Sequence, residues 1–269
     1  MLVMGSGSPG SVWRAHQVPA LMAAGYRVVT YDARGTGAGA RAGPGQDPDP
    51  PIGIGRLVED LALLIEHLGG PARVIGTSLG ARVTQELALA RPDLVERAVA
   101  MAGHARLDPV RHTLTLGQMS LFDSGVKLPV AYQAAVEAIL NLSPATLRDE
   151  RRARDWLDVL EFAAGPIAAG ERAQLEVSAR LGDRRAAYRG IRVPLLVVGF
   201  ADDQLVPAYL AREVADVVPG ASYVEVPDTG HIGYLERPDE VNRLLVDFLT
   251  RVARYRQTGP RRLGLVARS

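Results

Sequence analysis

The sequence predicts an α/β fold in which a mostly parallel sheet carries helices on both faces. Three observations lead there. Short apolar runs alternate with longer amphipathic stretches, the pattern of strands joined by crossover helices rather than by hairpins. One junction is a sharp strand, turn and helix: Ala72-Arg73-Val74-Ile75, then Gly76-Thr77-Ser78-Leu79-Gly80, then Ala81-Arg82-Val83-Thr84-Gln85-Glu86-Leu87. The chain has 269 residues, 47% of them hydrophobic, which is enough for one core around one sheet.

The elements follow in order. Strands are expected near residues 1–4, 26–31, 72–77, 97–102, 194–200 and 222–227, each a short apolar run. Leu57, Val58, Leu61, Leu64, Ile65 and Leu68 recur at helical spacing and stop at Gly69-Gly70, so they form one apolar stripe with a glycine end. A last helix runs from about Pro238, with Val241, Leu244, Leu245, Phe248 and Leu249 on one side. The interval between Ala102 and Pro194 is too long for an ordinary crossover, and it holds helical segments around 130–140, 144–163 and 166–188. The organisation expected is a first core half at 1–104, a helical insertion at 105–190, a second core half at 191–256 and a tail at 257–269. Arg251, Arg254, Arg256, Arg261 and Arg262 make the chain's end basic, which reads as a solvated terminus.

Composition narrows the partners. A net charge of +1 gives no electrostatic case for nucleic acid or an anionic membrane, and the absence of cysteine removes disulfides, thiol catalysis and thiolate metal sites together. Met1-Leu2-Val3-Met4-Gly5-Ser6 carries neither a basic segment nor a long apolar one, so neither a signal peptide nor a membrane span is expected and cytoplasmic residence is the default. No histidines and acids show metal-ligand spacing such as H-E-x-x-H, so neither a metal nor a cofactor is expected. Lys127 is the only lysine, an arginine bias that matches GC-rich bacterial coding.

The chemistry concentrates at three places. Gly76-Thr77-Ser78-Leu79-Gly80 is a G-x-S-x-G elbow in the context it requires, with Ser78 at the apex and the first amides of a helix behind it. Asp202 and Asp203 follow the strand at 194–200, and His231 follows the strand at 222–227. A rival reading begins at the amino end, where Gly5-Ser6-Gly7-Ser8-Pro9-Gly10 spells G-x-G-x-x-G and Asp32 stands where a dinucleotide fold places its ribose acid. Against it, the preceding strand has only about four residues and Pro19 interrupts the helix that should follow. It also leaves the serine, aspartate and histidine without a role.

The order serine, aspartate, histidine resembles that of the α/β-hydrolase family. The resemblance extends over nearly the whole chain: Gly25-Tyr26-Arg27-Val28-Val29-Thr30-Tyr31-Asp32-Ala33-Arg34-Gly35-Thr36-Gly37 is similar to the family's fourth strand and D-x-R-G-x-G loop, and Asp228 through Glu240 to its common ending. Among subfamilies the chain is most similar to the cofactor-independent haloperoxidase and esterase group. The resemblance implies a catalytic triad of Ser78, His231 and an acid. Aligning Asp202-Asp203-Gln204-Leu205-Val206-Pro207 with the family's acid-x-x-x-Pro ending selects Asp203 and leaves Asp202 to brace the loop. It also implies backbone oxyanion donors at Ser6 and Leu79, with Met4-Gly5 replacing the family's usual His-Gly. The insertion becomes a cap over the serine, with Met119, Leu121, Phe122, Tyr132, Trp156, Leu160 and Phe162 as candidate lining residues and His104 bordering the pocket. The sequence opens in the strand that feeds the glycine loop, so the resemblance implies either that the family's first strand pair is absent or that the start used here lies downstream of the true one; residues 26–31 are accordingly expected at a sheet edge, where a homodimer could form.

The activity so implied is hydrolysis of an uncharged ester or thioester, a small acyl substrate, through an acyl-enzyme. Two further readings stay open on the same residues. One is a non-hydrolytic member of bacterial secondary metabolism, performing cyclisation, chain release, elimination or perhydrolysis. The other is a ligand-binding protein that retains the triad.

Overall fold

The computed structural model of the chain describes residues 1–37, 52–165 and 168–250. Among these, five strands form one parallel sheet in the order β1 (Leu2–Val3), β2 (Ala72–Thr77), β3 (Val95–Met101), β4 (Leu195–Phe200) and β5 (Ser222–Val226). Register pairs Val3 with Gly76, Ile75 with Val99, Ala100 with Val197 and Val198 with Val224. Side chains alternate across the sheet, so each strand feeds two cores. Val74, Ala98, Ala100, Leu195 and Val197 pack on one face with Leu57, Leu61 and Ile65 of the predicted stripe. Ile75, Val99, Met101, Val198 and Phe200 pack on the other with Trp13, Val241 and Leu245.

The helices that cover these faces come mainly from the core segments, joined on one face by Val177 and Tyr188 of the insertion. They are α1 (Gln17–Ala23), α2 (Ile54–His67) and α3 (Leu79–Ala90) before the insertion. The insertion supplies α4 (Pro109–Ser124), α5 (Val130–Asn141), α6 (Pro144–Arg148), α7 (Glu150–Ala163), α8 (Ala169–Arg180) and α9 (Arg185–Tyr188). After β4 come α10 (Ala208–Val217), α11 (Gly233–Glu236) and α12 (Pro238–Thr250).

Several expected elements are corrected. Residues 26–31 form no strand: a single bridge joins Thr30 to Leu2, and Leu2 N–H donates to the Val29 carbonyl at 2.9 Å. The reason is the shortness of the neighbour, because β1 ends at Val3 where Met4-Gly5 turns out of the sheet towards Ser78, leaving the segment almost no partner to pair with. The helical stretch at 144–163 is broken at Asp149, whose side chain accepts from Arg152 N–H and starts α7 afresh. Helix α4 was not anticipated, although its ends are marked in the sequence: Asp108 caps Arg111 N–H, Pro109 opens the first turn, and Gly125 closes it at φ +67°. Pro19 sits in the first turn of α1, where no intrahelical N–H is lost. Arg34 pairs in fork geometry with Asp60 of α2, and Asp32 accepts from Gly10 N–H. The basic end, 251–269, lies outside the described residues.

Candidate active site

Ser78 stands between β2 and α3 at φ 54° and ψ −120°, a backbone region that costs roughly 1–3 kcal/mol for a residue with a side chain. The surroundings over-determine it. Its N–H donates to the Met101 carbonyl of β3, and its own carbonyl accepts from Ala81 and Arg82 N–H. The flanking glycines have no room for a Cβ, since one on Gly76 would meet the Gly80 carbonyl and one on Gly80 would meet the Val3 carbonyl.

Two loops bring the partners. His231 Nε2 lies 3.0 Å from Ser78 Oγ, and His231 Nδ1 lies 2.8 Å from Asp203 Oδ2. Asp203 Oδ1 accepts from Leu205 and Val206 N–H at 2.8 and 2.7 Å, and its carboxyl group is completely buried. Asp202 points elsewhere, as consecutive residues at a strand end do. Its N–H donates to the Thr229 carbonyl, and burial together with Asp228 and Glu236 pushes its carboxyl up. The arrangement can pass a proton from the Ser78 hydroxyl to the imidazole while the carboxylate fixes the tautomer.

Gly5 leads its loop against the serine, for a Cβ there would lie 3.1 Å from Ser78 Cβ. Ser6 lines the same cavity as Ser78. Leu79 is the first residue of α3, so its N–H has no intrahelical acceptor.

The cavity above Ser78 has a volume of about 420 Å³. Ser78, His231, His104 and Ile232 line it from the core, and Leu114, Gln118, Glu137, Leu160, Glu171 and Leu175 line it from the insertion. His104 is thus among the residues that border it. Its Nδ1 faces Arg82 Nη1 at 2.9 Å, and since a guanidinium can only donate, that nitrogen is the acceptor. Burial, then Arg82, holds His104 well below the ordinary histidine range and keeps it neutral.

Met119, Leu121, Phe122, Tyr132, Trp156 and Phe162 are not in this lining, which corrects that part of the sequence reading. Met119 and Phe122 lie farther along α4, towards the end where Asp123 pairs with Arg172 of α8. Tyr132 is 58% exposed, and of the three candidates on α7 it is Leu160, one turn beyond Trp156, that lines the cavity. Helical spacing marked an apolar side without saying which turn would stand over the serine. The wall is also more polar than anticipated: burial pushes the carboxyls of Glu137 and Glu171 up, and Glu137 raises Glu171 further. A second cavity of about 290 Å³, beside Tyr26, Ile65 and Leu249 at the opposite ends of the strands, contains none of these groups.

Sequence reading missed Glu236. Its Oε1 accepts from Ser143 N–H and Oγ, both at 2.9 Å, and its Oε2 accepts from Gly230 N–H at 2.5 Å. It thereby ties the histidine loop to the insertion. The residue lies within the Asp228–Glu240 ending, whose resemblance carries no role for it. Among the described residues no group of three or more histidines and acids could hold a metal ion, and no helix is long and apolar enough to cross a membrane.

An elbow serine after β2 of a parallel sheet, bonded to a histidine from the end of β5 that is bonded in turn to an acid from the end of β4, defines a class, and the alpha/beta hydrolase family model matches residues 2–244. The chain belongs to the alpha/beta hydrolase family. Its relatives include the non-heme bromoperoxidase BpoC of Mycobacterium tuberculosis, 42% identical over 94% of each chain. The crystal structure of that protein superposes with a TM-score of 0.85 at 43% identity, covering 92% of this chain and 90% of that one. The carbamate hydrolase RutD of Caulobacter sp. strain K31 is 31% identical over 93% of this chain and 90% of its own. The enol-lactonase of Burkholderia xenovorans LB400 matches with a TM-score of 0.75 at 26% identity, covering 93% and 90%. The chain is thus related to the cofactor-independent haloperoxidases, and the dinucleotide-binding alternative is set aside.

Proposed function

We propose that the protein is a serine hydrolase of the cytoplasm that cleaves a small carboxylic ester or thioester through an acyl-enzyme on Ser78. The observation that carries this reading is the hydrogen-bonded line Ser78 Oγ, His231, Asp203, with steps of 3.0 and 2.8 Å. As Ser78 Oγ bonds to the acyl carbon, His231 Nε2 takes the hydroxyl proton and Asp203 stabilises the resulting cation. The carbonyl oxygen gains the negative charge, and the N–H groups of Ser6 and Leu79 receive it at the positive end of α3. His231 then returns the proton to the leaving group. Water, deprotonated by the same nitrogen, attacks the acyl carbon; the bond from that carbon to Ser78 Oγ then breaks as His231 returns the proton to Oγ, and the acid leaves.

Residues 105–190 act as the cap over this reaction, excluding bulk water from it. The polar wall, with Gln118, Glu137 and Glu171 among leucines, favours a compact acyl group bearing polar substituents over a long aliphatic chain. It also supports a second reading, turnover of a carbamate or lactone, the substrates for which two relatives are named. Both use the same serine.

A fluorophosphonate probe tests the reading. It should label the protein once, on the peptide containing Ser78, and Ser78→Ala should abolish labelling. Activity on p-nitrophenyl esters should vanish in Ser78→Ala and His231→Ala and be insensitive to chelators. A folded protein labelled at Ser78 that turns over neither esters, carbamates nor lactones would move the reading to a non-hydrolytic or binding role.

A further inference from the structure

Met4 occupies the place where a histidine usually supports the oxyanion loop, and it is buried in an apolar cluster. Support for that loop comes from the insertion instead. Gly7 N–H donates to Gln174 Oε1 at 2.9 Å, and Gln174 Nε2 donates to the Arg34 carbonyl at 2.7 Å. Gln174 belongs to α8, is 1% exposed, and lies 167 residues from Gly7 along the chain. Each end of its amide serves a main-chain group of a different core loop, so turning the amide over would set donor against donor and acceptor against acceptor. The helix is seated closely enough to make these bonds. A Cβ on Gly170 would run into the Gly35 carbonyl, and a Cβ on Gly7, whose φ is +72°, would lie 2.6 Å from Glu171 Cδ.

The geometry points to Gln174 as a positioning residue for the oxyanion hole, holding the Ser6–Gly7 peptide, and through it the Ser6 N–H, only while α8 is seated on the loop. The assignment rests on the reading of Ser78 as nucleophile. It makes the cap part of the catalytic apparatus: lifting α8 removes the acceptor of Gly7 and frees the loop that carries one oxyanion donor. Gln174 touches neither substrate nor reacting atoms, so its effect must show in transition-state binding rather than in ground-state affinity.

The test is Gln174→Met, which keeps bulk and loses both bonds. Its kcat on a p-nitrophenyl ester should fall about tenfold with KM within about twofold of wild type, since a displaced donor costs less than a deleted one. Affinity for a boronic acid, whose tetrahedral adduct on Ser78 places an oxygen where the oxyanion forms, should fall by the same factor. Amide exchange at Gly7 should quicken at least about tenfold while amides of β2 keep their protection. Should this variant fail to fold, Gly170→Ala carries the test, because it pushes the first turn of α8 off Gly35 without altering Gln174, and the same losses are expected. Unchanged boronate affinity in either folded variant, or a rise in KM alone, overturns the assignment and leaves Gln174 as packing. A wild-type protein that neither binds the boronate nor takes the fluorophosphonate overturns the serine reading itself, and this assignment with it.

Discussion

Asp203→Asn isolates the orienting acid. Three donors surround that carboxylate: Leu205 and Val206 N–H on Oδ1, and His231 Nδ1 on Oδ2. An asparagine has one acceptor and one donor end. If its oxygen stays on the two amides, its NH2 faces His231 Nδ1, which must then accept, and Nε2 carries the proton and cannot take one from Ser78. If it turns over, the histidine is restored, but two backbone N–H groups face an NH2. Each such unmade buried bond costs roughly 1–3 kcal/mol, so the escape costs about 2–6 kcal/mol. At about 1.36 kcal/mol per factor of ten, kcat should fall by roughly 30-fold to 10⁴-fold, the upper figure being that of a triad locked in the wrong tautomer. The assay is steady-state ester hydrolysis, with circular dichroism to show that the fold persists. Asp202→Asn is the control, expected to leave kcat within about threefold, because the Asp202 side chain does not face the histidine. A damaging Asp202→Asn beside a mild Asp203→Asn would refute the reasoning.

Other outcomes follow from the same geometry. Glu171→Gln should raise the melting temperature at neutral pH. Burial, reinforced by Glu137, holds this carboxyl above its unfolded value, so the wild-type residue contributes stability below the ordinary carboxyl range and loses it as pH rises through the folded value; melting curves of both proteins should converge in acid and separate towards neutrality. Gly80→Ala forces a methyl against the Val3 and Met4 carbonyls and should cost about 1–3 kcal/mol, read as a melting-temperature drop of several degrees. Glu236→Ala leaves Ser143 and Gly230 N–H without their acceptor, so both kcat and melting temperature should fall; an unchanged kcat would mean that the His231 loop holds itself.

Much of the fold is legible in local sequence because its determinants are local. The strands after residue 72 are short apolar runs, and α2 and α12 are periodic over three turns or more, so pattern suffices. Ser78 is legible for the same reason: two glycines and a serine encode a turn that nothing else fits. The acid was harder, since Asp202 and Asp203 are chemically equal and only the turn that aims one at His231 separates them. The segment at 26–31 reads as a strand by composition, yet pairing depends on its neighbour, and β1 is two residues long. The pocket was least legible. Which turn of α4 or α7 overlooks Ser78 depends on how the helices of the insertion pack, and the sequence there marks apolar sides only.

The contacts that no local pattern could reveal are those that join the insertion to the reacting loops. Gln174 reaches Gly7 and Arg34, Glu236 reaches Ser143, and the Asn141 carbonyl accepts from Ile232 N–H beside the histidine. The insertion therefore grips the serine's surroundings from two sides, at the loop before β2 and at the loop after β5. Helices that only covered a pocket would make no such bonds, whereas these hold both loops by hydrogen bonds. If the insertion is the cap proposed above, lifting it would cost the order of the oxyanion loop as well as contact area, and the proposed site would be complete only with the cavity closed, the condition under which a dry, preorganised oxyanion hole is worth most.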